Sequence, residues 1–167
     1  MKIALRLGLV ALQLILGLAL ADRAVFAADE DKFLGTWALN AAKSSAPSGT
    51  LPSSATVVLS KASSGMYKSV SDTALGGQAL HSEITFTTDG KEYSPVTTPA
   101  PPPGTPTITQ SFERVSAAAY KALLKLNGTT IATILNEVSA DGKTLTATTT
   151  GVGAAANVTA TLVFDRK

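Results

Sequence analysis

Only one histidine, His81, stands in the 167 residues, so every serine–histidine–acid or histidine–metal scheme has to run through it. Its surroundings argue against such a use. Leu80, Ser82, Ile84 and Phe86 alternate with His81, Glu83, Thr85 and Thr87, so the adjacent serine points away from the imidazole. His81 reads as a solvated strand residue beside Glu83. Cysteine is absent, which removes thiol nucleophiles, thiolate metal ligands, disulfides and the lipid-bearing cysteine of a bacterial lipoprotein. The acidic run Asp29-Glu30-Asp31 reads as a solvated tail rather than a cation site. Gly151-Val152-Gly153 precedes a strand pattern instead of a helix, so it cannot be a phosphate loop. The chain is therefore read as a non-enzyme, with no catalytic residue, metal site or cofactor.

Binding chemistry is better served. Ile108, Gln110, Phe112 and Arg114 share one face of an alternating run, with Thr107, Thr109, Ser111 and Glu113 on the other. A polar pair on an apolar face offers handles for a carbonyl or a carboxylate. Gln110, Phe112 and Arg114, joined by Phe86 and Tyr120, form the candidate ligand-binding set. The expected ligand is a small apolar or amphipathic molecule. Arg114 also has a plainer reading, as a strand-end residue that reaches solvent.

These residues need a framework, and the framework reads as β. Runs of Val, Ile, Thr and aromatic residues are separated by turn dipeptides suited to hairpins: Asp89-Gly90, Asn127-Gly128 and Asp141-Gly142. With no long crossover helix between them, antiparallel neighbours follow. The clearest period of two is the last, where Val158, Ala160, Leu162 and Phe164 alternate with Asn157, Thr159, Thr161 and Asp165. The inward faces are expected to carry Leu80, Ile84, Phe86, Phe112, Tyr120, Leu124, Val158, Leu162 and Phe164. Residues 116–126 admit both a helix capped by Ser116 and a strand leading into Asn127-Gly128. The strand is preferred because it completes a hairpin with Thr129 to Val138. Six of the eight prolines fall within residues 94–106, which predicts an extended, polyproline-like loop.

The start of the chain has its own logic. Lys2 and Arg6 precede an apolar stretch from Leu7 to Ala21, too short for a spanning helix of about 20 residues and suited to a cleavable export signal. Cleavage is expected after Ala27, leaving residues 28–167 as one domain, periplasmic or secreted, with no membrane span. Of the 14 basic and 12 acidic residues, three and one lie in that leader, so the remainder is neutral. No basic cluster is left to track a phosphate backbone, which argues against nucleic-acid binding.

The string Phe33-Leu34-Gly35-Thr36-Trp37-Ala38-Leu39-Asn40-Ala41-Ala42-Lys43-Ser44 resembles the opening of small exported bacterial lipocalin-like (calycin-type) proteins. Val138-Ser139-Ala140-Asp141-Gly142-Lys143-Thr144-Leu145-Thr146 is similar to their penultimate hairpin. The resemblance implies an antiparallel up-and-down barrel of 8–10 strands. It also implies that Trp37 seals one end, with Gly35 leaving space and a late basic residue across the indole. Arg166 is the best placed, ahead of Lys167 and Arg114. Such a barrel holds either one small ligand or only its own side chains. A continuous cavity of about 300 Å³ or more would mark a carrier. A filled interior would favour the alternative, a protein-interaction module such as an exported protease inhibitor.

Overall fold

Strands that bury one face and wet the other alternate in sequence, and most of the chain does so. A computed structural model describes residues 31–47 and 49–167, and the leader expected over residues 1–27 lies outside the described residues. Asp31–Lys167 forms one compact unit. Its strands are β1 (Gly35–Leu39), β2 (Ser54–Lys61), β3 (Tyr67–Leu75), β4 (Gln78–Phe86), β5 (Asp89–Tyr93) and β6 (Val96–Thr98). They continue with β7 (Ile108–Ser116), β8 (Ala119–Leu126), β9 (Thr129–Val138), β10 (Thr144–Gly151) and β11 (Thr159–Arg166).

All pair antiparallel in one sheet ordered β5-β7-β8-β9-β10-β11-β1-β2-β3-β4-β6. The first strand lies between the last and the second: Trp37 is opposite Arg166 on one side and Val57 on the other. The strand count is thus eleven among the described residues, above the 8–10 expected, and the ladder does not close. β5 and β6 end it on either side of a seam. Side chains bridge that seam instead. The rings of Phe86 on β4 and Phe112 on β7 stack with centroids 3.8 Å apart, and the Thr87 and Tyr93 hydroxyls share a hydrogen bond of 2.7 Å.

Turn chemistry accounts for the extra strands. Asn127 and Gly128 both have positive φ (48° and 79°) and make the tight β8–β9 hairpin. Gly76 and Gly77 do the same between β3 and β4, a turn absent from the sequence reading. Asp89-Gly90 is not a hairpin turn. It lies inside β5, where a bulge between Asp89 and Glu92 carries the chain across the seam onto β7. Asp141-Gly142 lies in a longer loop, residues 139–143, closed by Ser139 N–H to the Thr144 carbonyl at 2.9 Å. The proline-rich stretch is partly strand: Val96–Thr98 pairs with His81–Glu83 before the remaining prolines lead to β7. Proline at the flanks of a short edge strand leaves its central ladder bonds intact.

Residues 119–126 are strand, and Ser116–Ala119 makes the turn before them. The core is led by Trp37 and Phe33, 0% and 1% exposed, with Leu59, Ile84, Phe86, Phe112, Leu145 and Phe164 around them. Two expected inward residues are exposed. Leu80 and Val158 are 45% and 44% exposed. Leu80 lies toward the start of β4 and Val158 just before β11, at the ends of their alternating runs.

Candidate functional site

The inward face runs from a sealed base to an open rim. At the base, Phe33 precedes β1 and places its ring edge-on to Tyr120, with centroids 4.7 Å apart. The Trp37 indole N–H donates to the Phe33 carbonyl at 2.9 Å, satisfying its one polar atom in the core. The Arg166 guanidinium lies over the Trp37 ring at 4.2 Å from the centroid. It also donates to the carbonyls of Leu34, Gly142 and Lys32. Gly35 makes that possible: its φ is +131°, and an added Cβ would meet Arg166 Nη1 at 2.6 Å.

Arg114 belongs to this base. Its Nη2 donates to the Asp31 carboxylate at 2.7 Å, and its guanidinium stands 5.1 Å from the Phe33 ring centre. Asp31 also accepts from the Tyr67 hydroxyl and from the Phe33 backbone N–H. Burial works against the Asp31 charge. The bonds from Tyr67, Phe33 and Arg114 outweigh it and hold the carboxyl below its usual range. The Asp31 side chain is 11% exposed, so it is no solvated tail; it is a buried anchor for Arg114. Burial likewise pushes the Tyr120 phenol far up, and its ring stays neutral. The space beside Arg114 is about 10 Å³, on the order of one water.

Above the base the side chains draw apart. A cavity of about 120 Å³ opens between Ser69, Ile84, Phe86, Gln110, Phe112, Tyr120, Ala122, Ile134 and Asn136. Four of the five candidate ligand residues, Gln110, Phe112, Tyr120 and Phe86, border it; Arg114 does not. Strand geometry explains the separation. Arg114 lies four residues along β7 from Gln110, about 14 Å at the usual rise. In register, Tyr120 stands between Arg114 and Asn136. Phe86 and Tyr120 border both spaces.

Asn136 and Ser69 were not anticipated. Asn136 carries a legible signal: Ala132, Ile134, Asn136 and Val138 share one alternation, and an amide among them is out of place. It is 8% exposed and reaches the Ile134 carbonyl only at 3.5 Å, the limit of a hydrogen bond. Ser69 pairs in register with Leu59 and Ile84, both buried. Among the described residues, neither Ser69 nor Gln110 has a side-chain hydrogen-bond partner. Further up, Ser71 faces Ser82 and Thr73 faces Leu80, so the rim is richer in hydroxyls than the base.

Outside, His81 lies 2.7 Å from Asp72 and 3.4 Å from Glu83. Among the described residues, no group of three or more His, Cys, Asp or Glu side chains is placed to hold a metal. No helix among them is long and apolar enough to cross a membrane.

No family model and no curated protein matches this sequence. Solved structures do match in shape. The fluorescent protein UnaG superposes with a TM-score of 0.57 at 18% identity, covering 81% of this chain and 98% of its own. Fatty-acid-binding protein 1 of Echinococcus granulosus gives 0.56 at 18%, over 81% and 98%. The Schistosoma mansoni fatty acid binding protein in complex with arachidonic acid gives 0.53 at 19%, over 81% and 96%. The fold is calycin-like. That likeness is one of architecture, since fewer than one residue in five is shared. The chain reaches the architecture with a seam whose two edges, β5 and β6, come from one 10-residue stretch, residues 89–98.

Proposed function

We propose that this chain is an exported, non-catalytic binding protein that holds one end of a small amphipathic molecule inside its curled sheet. The observation that carries this is the cavity above Phe86 and Tyr120. It sets aromatic rings beside Gln110 and Ser69, two polar groups that have no protein partner among the described residues. Its 120 Å³ falls short of the roughly 300 Å³ of an ordinary ligand pocket. It is close to the ~150 Å³ of an engineered apolar cavity that takes up benzene. The ligand is therefore the size of one ring or a short acyl tail, with any longer part emerging at the rim. Export rests on Lys2, Arg6 and the apolar stretch Leu7 to Ala21; a periplasmic or secreted location follows from it.

The test is ligand-observed NMR with single-ring alcohols and hydrocarbons on the full chain and on Ala122→Leu. Ala122 borders the cavity and is 2% exposed, so leucine there fills the space. Saturable binding that Ala122→Leu removes, with folding intact by circular dichroism, supports the reading. Binding that is absent, or indifferent to the substitution, refutes it.

A second reading, a protein-interaction module such as an exported protease inhibitor, draws on Val96. This residue is 71% exposed on the three-residue edge strand β6, beside the proline-rich loop. Deleting residues 99–106 should then abolish partner capture with little change in Tm.

A further inference from the structure

The cavity contains no charge, and the reason lies in how the base is built. Its lining consists of one hydroxyl from Ser69, two amides from Gln110 and Asn136, the phenol of Tyr120, and apolar groups. The one cation on the inward alternation of β7, Arg114, is already matched by the Asp31 carboxylate at 2.7 Å. Lys61 also approaches Asp31, at 4.0 Å, so both cations of this cluster turn toward the one carboxylate and neither borders the cavity. Tyr120 intervenes between Arg114 and Asn136 in the sheet register.

A carboxylate drawn into such a space would leave water and find no opposite charge, a costly exchange. A neutral polar group would not carry that cost. An alcohol, ketone or amide needs one or two hydrogen bonds, which an amide can give and receive. Resting on the binding reading above, we infer that the site selects an uncharged amphipathic molecule, an alcohol, carbonyl compound or amide, and excludes the corresponding carboxylic acid anion. Gln110 and Asn136 are the residues that recognise its polar group, and the Phe86 and Phe112 rings take its apolar end.

The measurement compares three probes of one shape on the full chain at pH 7: 2-phenylethanol, phenylacetate and ethylbenzene, titrated by ligand-observed NMR. The expected order is 2-phenylethanol tightest, ethylbenzene several-fold weaker, and phenylacetate at least tenfold weaker than the alcohol. Gln110→Leu and Asn136→Leu, each checked for an unchanged melting curve, should bring the alcohol down to the hydrocarbon. Phenylacetate binding as tightly as the alcohol overturns the inference while leaving the cavity as a binding site. Ethylbenzene matching the alcohol in the unaltered protein also overturns it, because the amides would then contribute nothing. If none of the three saturates, the cavity is not a binding site and both readings fall. A second variant, Asp31→Asn, leaves Arg114 without its carboxylate. The preference for alcohol over phenylacetate should shrink there, and an unchanged ratio would show that Asp31 plays no part in excluding the anion.

Discussion

The two ends of the inward face are made from similar residues and do opposite things. At the base, the Phe33 ring meets Tyr120 edge-on beside the buried Trp37, and the donors around them are taken: the indole N–H by the Phe33 carbonyl, Arg166 by three carbonyls, Arg114 by Asp31. Above it, Gln110, Ser69 and Asn136 face a space of about 120 Å³ with at most one long contact among them. Polar groups bonded within the protein rigidify a core, whereas Ser69 and Gln110, half-buried and without a protein partner among the described residues, are free to bond what enters the cavity. The difference predicts that substitutions at the base act on stability and that substitutions at the cavity act on binding.

The largest effect should come from Trp37→Ala. An indole that is 0% exposed leaves a void its neighbours cannot fill, at a cost of about 3–5 kcal/mol, and Arg166 loses the ring beneath it. Urea unfolding monitored by circular dichroism should show a midpoint shift of that size or no folded protein at all. A shift below about 1 kcal/mol would mean that the base is not the keystone of the sheet.

Breaking the Asp31–Arg114 contact comes next. Arg114→Ala removes one of the three hydrogen-bond donors that a largely buried carboxylate has among the described residues and should cost about 1–2 kcal/mol, with single-ring alcohol affinity changed less than twofold. Asp31 adds a pH signature. Its folded carboxyl titrates below the usual range, so its contribution is fully present above the unfolded value and fades as pH falls through the folded one. Acid unfolding of Asp31→Asn should therefore be less steep than that of the parent below about pH 4. A parallel acid limb in both proteins would show that Arg114 stabilises through packing on Phe33 alone.

How much of this was legible follows the same division. The string Gly35 to Ser44 is structural throughout. Asn40 Nδ2 bonds Asp165 at 2.6 Å, and Ser44 Oγ donates to the Asn40 carbonyl while accepting from Val163 N–H. These contacts tie β1 to β11, so a resemblance carried by those residues speaks of the fold and is silent on a ligand. Period-two patterns placed Phe86, Phe112 and Tyr120 inside correctly because strand alternation is a local property. What alternation cannot show is height. It set Gln110 and Arg114 on one face, and only the curl of the sheet puts one in the cavity and the other in the base. Asp31 gave no signal, because its partners Tyr67 and Arg114 are 36 and 83 residues away. The seam was hidden for a related reason: Asp89-Gly90 has the composition of a hairpin, and the pairing of β5 with β7 is a long-range choice.

At the cavity the expected stability effects are smaller and of mixed sign. Gln110→Leu replaces an amide that has no partner, so the melting temperature should stay within about 2 °C or rise, while alcohol affinity drops. A clear loss of stability would mean that the amide is part of the core, and the contrast between the two ends would weaken.

The smallest effect lies outside both regions, at His81. The imidazole is flanked in register by Asp72 on β3 and by Thr98 on β6, with Glu83 two residues along the same face. The hydrogen bond that the ring donates to the Asp72 carboxylate is the main reason its pKa is raised, with Glu83 adding to it. A folded value above the unfolded one means that the contribution is complete below about pH 6 and disappears as pH rises through the folded value. The group is open to solvent, and Lys68 competes for Glu83 at 2.7 Å, so salt screening should make the effect slight. Melting curves at low salt should show a small decline in Tm between pH 6 and pH 8 that His81→Gln removes. If the decline survives the substitution, the imidazole is only a spectator on the wet face of β4.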